Sequence, residues 1–208
     1  LALEGKTGST GDEPILYRYR HFDDRATPAL TISLSNRWMP PNLTPNHEVF
    51  HAYQYGYTFF KNGWFLEGMA RSMESAFKGG EVRVEPLPRS AGQLRQLMAR
   101  SYGADLFWNR LMVMCDASCG GTRAAPARFC GGGLVRATLE QYRALDKEAA
   151  RARGINPDDW PEEEQRSERN NPFLLRGLRR AIENHCPLRA NPELQAFHGL
   201  LQDADSRP

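Results

Sequence analysis

The stretch His47-Glu48-Val49-Phe50-His51 decides how this chain is interpreted, together with Trp64-Phe65-Leu66-Glu67-Gly68-Met69-Ala70 shortly after it. The first stretch lies in a segment that is predicted to be helical. Thr44 can cap this helix and Pro45 can occupy its first position, where a missing backbone N–H costs nothing. The helix should run to about Tyr55. Residues four positions apart then project from one helix face, so two imidazoles can bind one metal ion.

The HExxH pattern combines two metal ligands with a proton acceptor. His47 and His51 would bind zinc, and Glu48 would act as the general base. A catalytic zinc needs a third protein ligand and one open position for water. Glu67 is the best candidate, because it lies near the start of the next predicted helix, over residues 64–78, which Asn62 can cap. The competing interpretation is that both imidazoles lie on an ordinary helix face and that Glu67 is an exposed first-turn acid.

The segments HEVFHAYQ and WFLEGMA resemble the thermolysin-like gluzincin metallopeptidases, and are closest to the compact bacterial peptidases that carry HExxH followed by W-x-x-EG-x-A. The resemblance covers residues 44–76, and residues 102–108 are similar to the Tyr-led helix that often comes next. It implies an antiparallel edge strand over residues 29–35 that pairs with extended substrate. It also implies a set of site residues, namely the zinc ligands His47, His51 and Glu67 and the general base Glu48.

A tetrahedral oxyanion must also be stabilised, and in such folds a downstream Tyr or His typically does so. Tyr102 is the first choice, with His185 and His198 as weaker candidates. Arg71 stands where thermolysin has an Asp that orients a zinc-bound imidazole, so the groups that orient the ligands must differ here. Gln54 and Tyr57 occupy the positions where metzincins have Gly and a third His, which excludes that branch.

These observations predict an α+β zincin-like domain over residues 1–208. A small N-terminal sheet, the HExxH helix and the glutamate helix would lie within residues 1–116, and a mainly helical part would cover residues 134–208. The Gly-rich start is interpreted as a loose arm, residues 117–133 as a long loop, and residues 161–171 as a solvated connector. Further helices are predicted from Ser90 onward, with Leu94, Leu97 and Met98 on one face, and over residues 104–114, 134–153, 172–185 and 192–203.

The composition sets limits on partners. The chain has 208 residues, 25% charged, with a formal net charge of +2, which gives no overall basic field for nucleic acid. The longest apolar runs, such as residues 111–115, fall far short of the roughly 20 residues that a membrane helix needs. Neither nucleic acid nor a membrane span is therefore expected. The sequence does not define an oligomeric state.

The four cysteines, Cys115, Cys119, Cys130 and Cys186, form an even set. In a secreted or periplasmic protein such a set predicts two disulfides, with three connectivities open and one bridge favoured within the long loop. A structural zinc site that includes His185 beside Cys186 is an alternative. Free thiols in a cytosolic chain are another.

The favoured function is zinc-dependent hydrolysis of peptide bonds in a peptide or protein substrate, and an endopeptidase is expected. This prediction includes one Zn²⁺ per chain and Glu48 as general base. One alternative is a catalytically silent interaction module with the same fold. The other is a zinc hydrolase that acts on a non-peptide amide or ester. The intact Glu48 argues against the silent module, because loss of catalysis does not require that this glutamate be kept.

Overall fold

The structure is a computed structural model that describes residues 8–11, 31–36, 38–74, 77, 82–116 and 131–205. The chain divides into two compact units, Leu1–Gly56 and Tyr57–Pro208. Most of the described residues are helical, which confirms the predicted helical C-terminal part. None of the helices in the described part is long and apolar enough to cross a bilayer. The interpretation of residues 1–208 as one metallopeptidase domain stays a prediction.

The first unit contains a small sheet and one helix. Strand β1, Gly8–Gly11, pairs antiparallel with strand β2, Thr31–Leu34, and Gly8 lies opposite Leu34. The loose-arm prediction for the Gly-rich start is therefore wrong for residues 8–11, because backbone pairing needs no large side chain. The strand predicted over residues 29–35 is confirmed within its described part.

Helix α1, Thr44–Tyr55, follows the sheet in this unit. Its bounds match the sequence prediction, but the capping detail was wrong by one residue. Leu43 is the N-cap, Thr44 is already helical, and Pro45 falls within the first two positions. The hydroxyl of Thr44 instead donates to Asn42 Oδ1 at 2.6 Å, and its backbone N–H donates to the same oxygen at 2.8 Å. An Asn side chain outside the helix thus fixes the turn into α1.

The second unit is built from helices. They are α2 Gly63–Glu74, α3 Ala91–Met98, α4 Asp105–Cys115, α5 Gly132–Arg153, α6 Glu162–Gln165, α7 Asn171–His185 and α8 Pro192–Asp205. Ser90, where a helix was predicted to begin, is the N-cap of α3, since its side chain accepts the Gln93 N–H. Helix α2 begins directly after Asn62, as predicted, but the Asn62 amide donates to the Ser167 carbonyl at 3.0 Å and does not cap α2.

Apolar packing fixes α2 within this unit. The Trp64 ring stacks on the Trp108 ring of α4, with centroids 5.8 Å apart, and Trp108 Nε1 donates to the Trp64 carbonyl at 2.8 Å. Gly68 permits the approach, because a Cβ there would lie 2.7 Å from Ala104 Cβ. The glutamate helix is therefore held rigidly against the Tyr102–Ala104 turn and α4.

The segment over residues 161–171 is not a solvated connector throughout, so that prediction was wrong. Gln165 and Asn170 are buried. Arg153 of α5 also reaches this segment, pairing with Glu164 at 3.1 Å and donating to Asn170 Oδ1 at 2.7 Å. The buried Asn170 amide donates to the Glu164 and Gln165 carbonyls and accepts from Arg153, so this part of the charged segment is packed and hydrogen-bonded.

A disulfide links Cys115, at the end of α4, to Cys186, just after α7. If one disulfide lies within the long loop, as the sequence favours, Cys115 and Cys186 are the two cysteines left to form the other. Cys119 and Cys130, which would form that second bridge, lie outside the described residues, as does nearly all of the predicted loop.

Candidate metal centre

His47, His51 and Glu67 come together as a group that could hold a metal ion. Each offers one ligand atom, and these atoms all lie within 4.8 Å of one another. Donors bound to one tetrahedral zinc ion at about 2.1 Å lie roughly 3.4 Å apart, so the group offers suitable donors whose atoms would draw closer on binding an ion. Both histidines are buried and Glu67 is half-buried.

Helix α1 presents its two imidazoles as the spacing predicts. The ring centroids of His47 and His51 are 4.5 Å apart, with the rings nearly perpendicular. His51 also stacks on Tyr55, one turn further on, at 6.0 Å. The side chains that α1 buries are His47, Glu48, His51 and Gln54. All four are polar, so the buried side of this helix is arranged for hydrogen bonding and ligation.

Gln54 is a site residue that sequence reasoning missed. Its Oε1 lies 2.8 Å from His51 Nδ1, and both side chains are buried. An amide oxygen only accepts, so Nδ1 carries the proton and donates. In a neutral ring with this hydrogen bond, Nε2 is the acceptor nitrogen, which is the atom suited to a metal. The only sequence signal was a Gln three residues after the second His, on the same side of the predicted helix.

Gln54 also bears on a departure from thermolysin. The sequence places Arg71 where an orienting Asp would be expected, which implied a different arrangement around the ligands. Gln54 supplies such an arrangement for His51, from within α1 itself. The partner that fixes a ligand imidazole is typically a carboxylate, a backbone carbonyl or water, and a Gln carbonyl oxygen offers the same acceptor chemistry.

Glu48 is buried, with 6% of its surface exposed. Strand β1 lies against it, because a Cβ built on Gly8 would be 3.0 Å from Glu48 Cγ and 3.1 Å from Glu48 Oε1. The same Cβ would be 2.5 Å from Thr44 Cγ2. Gly8 is therefore the residue that lets the backbone of β1 approach this carboxylate closely.

The three candidates for oxyanion stabilisation have different surroundings. Tyr102 begins a short 3-10 turn and is 50% exposed. His185 ends α7 and packs against Gly133, where an added Cβ would be 2.4 Å from its Nε2. His198 Nε2 lies 2.8 Å from Glu183 Oε1. His198 is therefore engaged by a carboxylate, and Tyr102 stays the first choice as a prediction.

The charge around His198 has a clear pattern. Glu183 also accepts from Arg179 at 2.7 Å. Burial opposes ionisation of Glu183, but hydrogen bonds and charge from His198 and Arg179 outweigh it and hold the pKa of that carboxyl below its usual value. This network ties α7 to α8 and explains His198 without a catalytic role.

We compared the chain with known protein families, curated proteins and solved structures. No protein-family description, curated protein or solved structure matches this chain. The interpretation of the site therefore rests on the ligand group and its surroundings.

Proposed function

We propose that this chain is a zinc-dependent peptidase of the gluzincin type, with a zincin-like fold around its metal site. The observation that carries the proposal is the meeting of His47, His51 and Glu67 in an HExxH context. Two imidazoles and one carboxylate form the ligand set of thermolysin-type catalytic zinc sites. The donor set fits: the imidazoles are buried, and Gln54 fixes the tautomer of one of them.

Four side chains would have distinct roles in the hydrolysis. A bound zinc ion would supply Lewis acidity that polarises a carbonyl and lowers the pKa of water to about 7. His47, His51 and Glu67 would hold the ion. Glu48 would take the proton from the attacking water and pass it to the leaving amine, which is the task of a general base that later acts as an acid. Its burial beside Gly8 limits competing hydration of the carboxylate.

Strand β2 is the proposed partner of extended substrate. Within the described residues it has a strand partner, β1, on one edge only. An unpaired edge offers backbone N–H and C=O groups that can pair with a peptide. Tyr102 is the proposed donor to the oxyanion.

We place the protein in a secreted or periplasmic compartment. The Cys115–Cys186 disulfide supports this proposal, since such bonds form and persist in oxidising environments.

The decisive experiment is digestion of a peptide library by zinc-replete protein, with and without chelator. Hydrolysis should stop with chelator and return with zinc. Glu48→Gln should keep zinc yet lose turnover by about 10²–10⁴, the contribution of general base catalysis. Glu163→Gln is the matched control, because Glu163 is an exposed residue of α6.

Each other result selects a different function. Turnover by Glu48→Gln equal to wild type would remove this mechanism. Bound zinc without hydrolysis of any peptide would favour the silent interaction module. Hydrolysis confined to esters or non-peptide amides would favour a zinc hydrolase that does not act on peptides.

A further inference from the structure

Arg71 lies one helical turn after Glu67 on α2. Residues four apart on a helix are neighbours, and Glu followed by Arg at this spacing favours an ion pair. In the described part of the chain, however, the Arg71 guanidinium pairs with Asp105 and not with Glu67. The carboxylate of Glu67 is instead grouped with the two imidazoles. Arg71 thus lies one turn along α2 from a residue of the ligand group and pairs with a carboxylate outside that group.

Two neighbours hold the Arg71 side chain. The guanidinium carbon lies 5.9 Å from the centroid of the Tyr102 ring, within the range of a cation–π contact. Nε lies 3.8 Å from Asp105 Oδ2, which is an ion-pair distance but too long for a hydrogen bond. These contacts limit the positions of the guanidinium while its Nη1 and Nη2 groups make no hydrogen bond to any described residue.

Arg71 and Tyr102 are both accessible to a ligand from solvent. The Arg71 side chain is 49% exposed and Tyr102 is 50% exposed. A half-exposed planar guanidinium can bind a carboxylate bidentately through two N–H groups. An aromatic ring beneath it reduces the rotamer freedom that is lost when a ligand binds.

We propose that Arg71 is a specificity residue that binds a carboxylate of the substrate next to the scissile bond. This inference rests on the proposed peptidase function. Two substrate groups share the required chemistry: the free C-terminal carboxylate of a peptide, and the side chain of Asp or Glu beside the cleaved bond. Arg71 acts through binding, and Tyr102 provides the surface on which the guanidinium rests.

The test measures kcat/KM on a set of otherwise identical fluorogenic peptides. One arm compares a free C-terminus with an amidated one, and the other compares Glu with Gln beside the scissile bond. Wild type should prefer the carboxylate in at least one arm by about tenfold or more, as expected for a charge-assisted bidentate contact. The arm that shows the preference identifies the carboxylate.

Variants separate a specific role from a structural one. Arg71→Gln should abolish the preference, with the loss in KM and zinc content equal to wild type. Arg71→Lys should keep part of the preference, because lysine keeps the charge but lacks the planar guanidinium that binds a carboxylate through two hydrogen bonds. Arg95→Gln is the matched control, since Arg95 is an exposed arginine on α3.

The outcomes distinguish the two proposals. Peptide hydrolysis with no carboxylate preference in either arm, or with a preference that Arg71→Gln retains, overturns the role of Arg71 and leaves the peptidase function standing. Absence of any hydrolysis by zinc-replete wild type overturns both.

Discussion

The two units of this chain bury different kinds of side chain. Among the described residues, every buried hydrophobic side chain belongs to residues 57–208. The buried side chains of the described part of residues 1–56 are His47, Glu48, His51 and Gln54. Burying polar groups is costly unless they are hydrogen-bonded or coordinate a metal. Residues 57–208 are therefore organised by apolar packing, whereas α1 buries polar side chains, two of which belong to the candidate metal group.

The largest expected effect lies in the apolar core. Phe197 of α8 is fully buried and contacts Phe107, with centroids 5.6 Å apart. Phe197→Ala should lower the free energy of unfolding by about 3–5 kcal/mol. Tyr53→Ala in α1 should change it by less than about 0.5 kcal/mol, because Tyr53 is 64% exposed. Urea unfolding of both variants measures this difference, and equal losses would break the comparison.

The next effect concerns the covalent link within the helical unit. Replacing Cys115 and Cys186 together by Ser should cost about 2–4 kcal/mol of unfolding free energy, because the bond restricts the unfolded chain over a separation of 71 residues. Thermal unfolding without reductant measures the loss. A non-reducing digest analysed by mass spectrometry should recover the Cys115–Cys186 peptide pair, and a different pairing would contradict the described bond.

A smaller effect involves a buried carboxylate in the helical unit. Asp146 of α5 accepts the Phe59 N–H at 3.1 Å, just before α2 begins. Asp146→Ala should cost about 1–3 kcal/mol, since the Phe59 N–H loses its acceptor. Asp146→Asn keeps an oxygen that can accept this hydrogen bond and serves as the matched variant.

Asp146 also predicts a pH dependence. Burial raises the pKa of Asp146 above its ordinary value of 3.8, and hydrogen bonds from the Phe59 N–H and the Thr58 side chain only partly offset this. The protonated form therefore favours the folded state. The stability that results is fully present below the ordinary pKa and is lost as pH rises through the folded pKa. Stability measured from pH 4 upward should fall in wild type relative to Asp146→Asn, and the opposite slope would show that the carboxylate is favoured in the fold.

Substitution of Gln54 is expected to have the smallest effect on folding but a specific effect on metal binding. Gln54→Ala removes the acceptor of the His51 Nδ1–H and should weaken zinc binding by about 10–100-fold, as loss of a ligand's hydrogen-bond partner typically does. Competition with a chromophoric chelator measures the affinity. Val49→Ala, at an exposed position on α1, is the control. Unchanged affinity in Gln54→Ala would show that this hydrogen bond does not orient the ligand.

The sequence predicted the features that depend on local signals. The bounds of α1 follow from Pro45 near its start, and the ligand group follows from HExxH spacing and a later Glu67. It did not predict β1, because Gly-rich strands lack a hydrophobic pattern. It also missed Gln54, since the role of this residue depends on which imidazole nitrogen faces it.

Long-range contacts explain the remaining differences. The sequence predicted that residues 161–171 are solvated because a run of charged side chains typically lies on the surface. It did not indicate that Arg153, which lies outside this run, reaches it from α5. The role proposed for Arg71 depends on Tyr102 and Asp105, which are about 30 residues away in the chain, so no local pattern indicates it.

The most direct test of the central claim is the metal content of the purified protein by elemental analysis, after zinc-replete preparation and exhaustive dialysis. The account predicts one zinc per chain in wild type and in Glu48→Gln, and none in His51→Ala or Glu67→Ala. Full zinc occupancy in Glu67→Ala would assign the third ligand elsewhere. A wild-type protein that holds no zinc would contradict the claim that His47, His51 and Glu67 form a metal centre.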